Sequence, residues 1–405
     1  MSAPASIADV IAAEGGQVTF ARFMEIALIH PTLGYYSQAE RLLRHGGDFN
    51  TAPALSPFFN RTLARLVTEL VDASLATPLA GREPLGAAEP AALVELGGGE
   101  GQLAAAILEF WEQERPDLRE RVVYRIVEVG ARLQERQAAA AGWDVGWGRT
   151  LDEACAGTRS AVIVGNEFLD ALPVHVVRVA GGALCEAHVR VAAPGLEQMW
   201  GPLSEAAAAE VEFLFGTLDP RSLEPLTEDG VIEVSPGVGR LVRQIAAVMP
   251  SGCLVNVDYG EWFQGVLHAG ESCGLRERAS RRRTIRGYFK HQMVLDPRVR
   301  AGRQDLTADV DFAALDLHGR QCGFETVLFT TLAAFLRGGG AEAEVEALRA
   351  GAAMQPLGAG AAADSAGPDG GADVLEADRQ ATVVGNLLDE SDLGGAFKLM
   401  VQVRE

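Results

Sequence analysis

The run Leu93-Val94-Glu95-Leu96-Gly97-Gly98-Gly99-Glu100-Gly101 decides the fold of this 405-residue chain. Apolar residues make a short buried strand, glycines make a turn, and the pattern over 102–114 is helical. A strand that ends in glycines and opens onto a helix N-terminus lets backbone N–H groups approach a bound anion. Glycine is required there because a Cβ would block both the tight turn and the close approach. Downstream, 122–129 reads as a strand closing in Glu128, 132–141 as a helix and 161–165 as another buried strand. The segments 174–179 and 183–191 flank Gly181-Gly182 and read as a hairpin. Further strands are expected at 231–234, 253–257, 326–330 and 397–403, with a helix over 237–248. Alternating strands and helices predict an α/β domain with a mostly parallel, doubly wound sheet. Upstream, 1–90 reads as mainly helical: Ile7, Val10 and Ile11 at helical spacing, a helix over 20–29 stopped by Pro31, and another over 58–75.

Composition narrows the function. Asp and Glu total 55 against 35 Lys and Arg, a formal charge of −20. That balance counts against a nucleic-acid binder and against docking on anionic lipid, and suits a cationic partner. Lys290 and Lys398 are the only lysines, a coding bias toward arginine. Five dispersed cysteines without a C-x-x-C pair predict free thiols, and no histidine spacing points to a metal site. The N-terminal segment carries Asp9 and Glu14 ahead of Arg22, unlike a signal or transit peptide. No run of about 18 uncharged apolar residues predicts a membrane span. A cytoplasmic protein is expected.

Two cofactors fit the glycine turn. Gly99, Gly101 and Ala104 loosely meet a dinucleotide fingerprint. Glu95, Gly97, Gly99 and Gly101 meet acid-x-Gly-x-Gly-x-Gly, which resembles the first motif of class I S-adenosylmethionine (SAM) methyltransferases. The acid favours SAM, because a carboxylate near the loop offsets the charge of its ammonium and sulfonium. Glu128, closing the next strand, is placed to accept both ribose hydroxyls.

Further stretches extend the resemblance. They are Phe23-Met24-Glu25 with His30-Pro31 to Gly34-Tyr35-Tyr36, and Gly47-Asp48-Phe49-Asn50-Thr51-Ala52-Pro53. Asn166-Glu167-Phe168-Leu169-Asp170-Ala171-Leu172-Pro173 follows, then Asp258-Tyr259-Gly260, Arg286 with His291, Gln304-Asp305-Leu306-Thr307 and a closing Gly395-Ala396-Phe397-Lys398. The chain thereby resembles the MidA-like family of SAM-dependent methyltransferases, whose mitochondrial members are complex I assembly factors that methylate a protein arginine. Four places depart from the family's pattern: Ala54 after Pro53 in place of a glutamate, Asn60-Arg61, Asp309 in place of a histidine, and Gly394-Gly395.

The resemblance implies a class I methyltransferase Rossmann-like sheet with an N-terminal helical cap over 1–90. The core spans 91–336 with an insertion near 174–230, a flexible Ala/Gly-rich insertion covers 337–380, and 381–405 completes the core. It implies a protein substrate, with Asp48, Thr51 and Tyr36 on the substrate side. Glu95, Gly97, Gly99, Gly101, Glu128 and Asn166 are the expected cofactor residues, and no metal is expected. Just past a strand end, Glu167 is the candidate to grip a guanidinium, with Asp170 and Asn166 beside it. His291 reads as structural. The remaining alternatives are a non-catalytic scaffold that keeps the fold, and a nucleotide-dependent oxidoreductase.

Overall fold

The computed structural model describes residues 4–37, 56–76, 90–141, 145–158, 161–180, 183–193, 195–216, 231–263, 283–290, 292–354 and 370–405, with the side chains of 351–354 and 370–377 left aside. The chain starts with α1 (Ile7–Ala13), β1 (Gln17–Thr19), α2 (Phe20–Ile29) and a long α3 (Pro57–Ala76). Then β2 (Ala91–Leu96), α4 (Gln102–Glu114), β3 (Val122–Val127), α5 (Ala131–Ala141), β4 (Gly146–Gly148), α6 (Leu151–Cys155) and β5 (Ala161–Asn166) alternate. An excursion through β6 (His175–Ala180), β7 (Ala183–Ala192), β8 (Gly195–Gly201), α7 (Glu205–Phe215) and β9 (Ile232–Val234) precedes α8 (Pro236–Val248) and β10 (Gly252–Glu261). Short strands β11 (Arg286–Phe289), β12 (Gln292–Val294), β13 (Asp305–Thr307) and β14 (Val310–Asp311) follow, then α9 (Phe312–Gln321), β15 (Glu325–Thr331) and α10 (Leu332–Gly338). The chain closes with α11 (Ala341–Met354), α12 (Gly370–Leu387), α13 (Leu393–Ala396) and β16 (Phe397–Arg404).

The central sheet runs β15-β16-β10-β5-β2-β3-β4. Strands β4, β3, β2, β5 and β10 are mutually parallel, and β16 runs antiparallel between β10 and β15. From β2 the chain first winds outward through β3 and β4, then returns to place β5 on the other side of β2. This reversal opens a crevice at the carboxyl ends of β2 and β5, where ligands bind in such sheets. Strand β2 is buried at every residue. Its alternate side chains feed two cores. Ala91 and Leu93 meet α3 and α4; Ala92, Val94 and Leu96 meet the α6, α8 and α9 side. In the first core, Trp111 of α4 donates its indole N–H to Thr68 Oγ1 of α3 at 2.8 Å, with both residues buried. Thr68→Val keeps the volume and orphans that N–H. A loss of about 1–2 kcal/mol is expected by urea unfolding.

A second sheet, β1-β7-β6-β9 with β8 on β7, is antiparallel throughout. It includes the expected hairpin, with Ala180 opposite Ala183. Helix α2 begins where Thr19 Oγ1 accepts the Arg22 N–H, and its buried face (Phe20, Phe23, Met24, Ala27) packs into this sheet's core with Val176 and Val189. The expected cap over 1–90 therefore divides: α1, β1 and α2 join the 174–230 insertion in one accessory layer, whereas α3 belongs to the central core. The expected flexible segment also differs. Within it, α11 is helical and buries Ala341 and Val345 in the central core. Alanine's high helix propensity favours the helix, and Ala341 and Val345 tie it to the core. Residues 358–369 lie outside the described residues.

Candidate active site

The glycines after β2 differ in what they face. Gly97, Gly99 and Gly101 all adopt positive φ, at +65°, +50° and +91°. Gly97 and Gly99 are exposed, whereas Gly98 and Gly101 are packed. A Cβ on Gly101 would lie 2.8 Å from the Gln137 Cα, and one on Gly98 would lie 2.9 Å from Ile126 Cγ2. A Cβ on Gly97 would touch the Phe168 ring at 3.0 Å, but one on Gly99 would enter open space. Two glycines thus let the loop sit on α5 and β3, and Gly99 leaves backbone bare toward the crevice.

Glu128 follows β3. Its backbone N–H donates to the Gly148 carbonyl at 3.0 Å, which fixes its position. Its carboxylate accepts the Gly130 N–H at 2.7 Å and the Gln137 amide at 3.4 Å. Partial burial raises its pKa, and the Gly130 bond opposes that rise. A carboxylate offers about four lone-pair positions, so capacity remains for two further hydroxyl donors. Glu95 is placed otherwise than the sequence suggested. It is buried in the central core, where it accepts the Tyr124 hydroxyl at 2.8 Å. Burial lifts its pKa to about 7 and the Tyr124 bond only partly opposes this, so at neutral pH it is no dependable counter-charge for a cation.

Across the crevice, β5 ends in Asn166. Glu167 follows at φ +49°, a conformation that non-glycine residues rarely adopt, held by its N–H donating to the Val257 carbonyl at 2.8 Å. Such strain persists where the surrounding structure over-determines it, and it clusters at functional sites. The Asn166 amide donates to Glu167 Oε1 at 3.3 Å, while Asn166 Oδ1 is buried with no hydrogen-bond partner among the described residues. Asp258, on β10, accepts the Leu169, Asp170 and Tyr259 backbone N–H groups at 2.9, 3.2 and 2.9 Å. It therefore shapes the turn that presents Glu167 and Asp170. Burial, then the Glu167 charge, lifts its pKa to about 8.

Asp170 is buried, and burial with the nearby Asp258 and Asp305 charges pushes its pKa well up against the pull of Arg286. Tyr36 donates to Asp305 Oδ1 at 2.8 Å and so brings the N-terminal segment to this cluster. Arg286 is bound by Asp309 at 2.6 Å, donates to the Tyr288 hydroxyl at 3.0 Å and lies 5.5 Å over the Tyr259 ring. Burial works against its charge, but the Asp309 pair outweighs that and raises its pKa. Asp309, one of the departures from the resemblance, is thus the partner of Arg286. Asp48, Thr51 and His291 lie outside the described residues.

Sequence reasoning did not assign Asp258 or Gln137. Asp258 had a signal, an acid closing an apolar run within its strand. Gln137 had a fainter one, a polar residue heading an alanine run on the helix beside the glycine loop.

A mostly parallel sheet with a bare glycine backbone after one strand and a carboxylate after the next, at its switch point, defines a class I nucleotide-cofactor fold. Asn166 Oδ1 left unsatisfied and the open space at Gly99 fit SAM. Residues 80–330 match the family described as "Putative S-adenosyl-L-methionine-dependent methyltransferase", and the chain belongs to this family. The mouse protein named protein arginine methyltransferase NDUFAF7, mitochondrial, is 28% identical over 327 residues, covering 74% of this chain and 66% of that protein. The Drosophila melanogaster homologue of that name is 28% identical over 322 residues, 73% of this chain and 65% of its own length. The chain thus spans just under two thirds of these relatives. A crystal structure from Burkholderia thailandensis bound to S-adenosyl-homocysteine superposes with TM-score 0.71 at 28% identity, covering 98% of this chain and 90% of that one.

Proposed function

We propose that this chain transfers a methyl group from SAM to a nitrogen of an arginine side chain in a protein. The observation that supports it is the cluster of Glu167, Asp170, Asp258 and Asp305 across the crevice from the glycine loop. The relatives named protein arginine methyltransferases support the same reading.

SAM supplies a methyl already activated by its sulfonium, so the protein's task is alignment. Gly97 and Gly99 offer bare backbone to the amino-acid end, Glu128 holds the ribose and Asn166 Oδ1 accepts a donor beside the transfer point. Glu167 accepts two guanidinium N–H donors and leaves the third nitrogen facing the methyl. As the new N–C bond forms and the C–S bond breaks, the guanidinium nitrogen sheds a proton to a neighbouring carboxylate or water. A cation entering this cluster pulls the raised pKa values of Asp170 and Asp258 back down, so its binding strengthens as pH rises toward 8.

The test is labelled SAM with a lysate of the host cells, followed by identification of the labelled residue. Labelling on lysine, or none, counts against the arginine assignment. Glu167→Gln keeps the shape and removes the charge. A charge-assisted pair is worth roughly 1.5–3 kcal/mol, so turnover falls by about one to two decades with melting temperature and SAM affinity close to wild type. Full turnover in that variant sinks the role of Glu167.

A cytoplasmic location is part of the proposal, supported by the free cysteines among the described residues; the animal relatives are named mitochondrial. Cell fractionation with an antibody to this chain decides it.

A further inference from the structure

We propose that Gln137 is the positioning residue that sets the two halves of the cofactor site relative to each other; this rests on the SAM reading above. Gln137 is fully buried on α5. Its Oε1 accepts the Trp147 indole N–H at 2.8 Å. An indole nitrogen only donates, so this bond fixes which end of the amide faces Trp147. The Nε2 group must then turn the other way. It donates to the Gly99 carbonyl at 3.0 Å and lies 3.4 Å from Glu128 Oε2.

One amide therefore ties the exposed glycine that meets the amino-acid end to the acid that meets the ribose. The residue also seats the loop sterically, through its backbone and its amide. A Cβ on Gly101 would strike the Gln137 Cα at 2.8 Å, and one on Gly98 would come within 3.2 Å of Nε2. The loop is thus seated on this residue from two sides. Because Gly130 N–H holds the other Glu128 oxygen, removal of the Gln137 amide leaves the acid in place but loosens its distance to the loop. A ligand that spans both halves is then affected more than one that occupies only the ribose half.

Calorimetry with S-adenosyl-homocysteine and with 5′-methylthioadenosine, which lacks the amino-acid end, tests this on the full chain. Gln137→Leu is expected to weaken S-adenosyl-homocysteine by about 10- to 100-fold, the loss of a neutral and a charge-assisted hydrogen bond. Methylthioadenosine is expected to weaken by a clearly smaller factor. Trp147→Phe keeps the ring and removes the donor that orients the amide, so it should weaken S-adenosyl-homocysteine less than Gln137→Leu does.

Gln137→Glu adds a pH signature. Its carboxyl can donate to Gly99 only when protonated, and when ionised it repels Glu128. Affinity in this variant should rise as pH falls from 8 to 5.5, a trend opposite in sign to anything protonation of Glu128 produces in wild type. Equal losses for both ligands that track melting temperature, or an unchanged affinity in Gln137→Leu, overturn the proposal. The same holds for a Gln137→Glu variant with the wild-type pH trend. Wild-type protein that binds neither ligand overturns the cofactor reading itself.

Discussion

Gly99→Val is expected to abolish measurable cofactor binding while the chain still folds. At Gly99 a Cβ enters open space, so no part of the protein is displaced. The cost within the protein is the φ of +50°, which strains an L-residue by roughly 1–2 kcal/mol. The branched side chain occupies the space through which the ligand reaches bare backbone, and affinity should fall by at least about 100-fold, the loss of several close contacts together. Gly101→Ala is the contrasting control. Its Cβ meets the backbone of α5, so melting temperature should fall first and binding only with it. Circular dichroism melting beside calorimetry separates the two. Normal SAM binding by folded Gly99→Val would show that the crevice lies elsewhere.

Glu95→Gln is expected to stabilise the protein at alkaline pH by roughly 3 kcal/mol. The folded pKa of about 7 stands above an ordinary value of 4.5, and each unit corresponds to about 1.4 kcal/mol. The folded state binds this proton more tightly than the unfolded chain. The stabilisation that the neutral carboxyl provides is therefore complete below about pH 4.5 and is lost as pH rises through 7. Glutamine never ionises, so wild type and variant should have stability curves of similar slope at pH 4 that diverge up to pH 8. Urea unfolding at pH 4.5, 6 and 8 measures this. Parallel curves would show that the carboxyl has the same pKa in the folded and unfolded states. SAM affinity at pH 6 should change little, which separates a core carboxyl from a cofactor contact.

The central sheet was legible because its strands are short apolar runs that stop at residues with clear chemistry. Leu96 gives way to glycines, Val127 to Glu128, Gly165 to Asn166-Glu167 and Val257 to Asp258. The alternation of those runs with helical patterns fixed the layer order. Glu95 shows the limit of that legibility. An acid two residues before a glycine loop is the same letter whether it faces a ligand or the core, and the pleat of β2 decides that it shares a face with Leu93. The accessory sheet was half legible. Its hairpin announced itself through paired glycines, but Gln17–Thr19 is too short to show a period, and its pairing with β7 lies some 170 residues away. The site was least legible where one residue acts through another. Neither the Asp258 bonds to the Leu169–Asp170 turn nor the Gln137 link to Gly99 leaves a spacing in the sequence, because both arise only when distant elements meet.

Strand β16 carries a consequence for how the molecule assembles. It pairs with β10 from Gly252↔Arg404 to Tyr259↔Phe397 and with β15 on its other side. A strand that follows both of its neighbours in chain order therefore lies inside the sheet, not at its rim. Until it docks, β10 and β15 each present an open row of backbone donors and acceptors, a template for pairing with other chains. This closure joins residues about 150 positions apart, and pairings of such long sequence separation form slowly because loop-closure entropy must be met first. The strand that receives β16 is also the one whose Asp258 holds the turn that presents Glu167 and Asp170. A nascent chain that has not yet made β16 thus leaves an open edge one strand away from the candidate crevice, and a single docking step covers it.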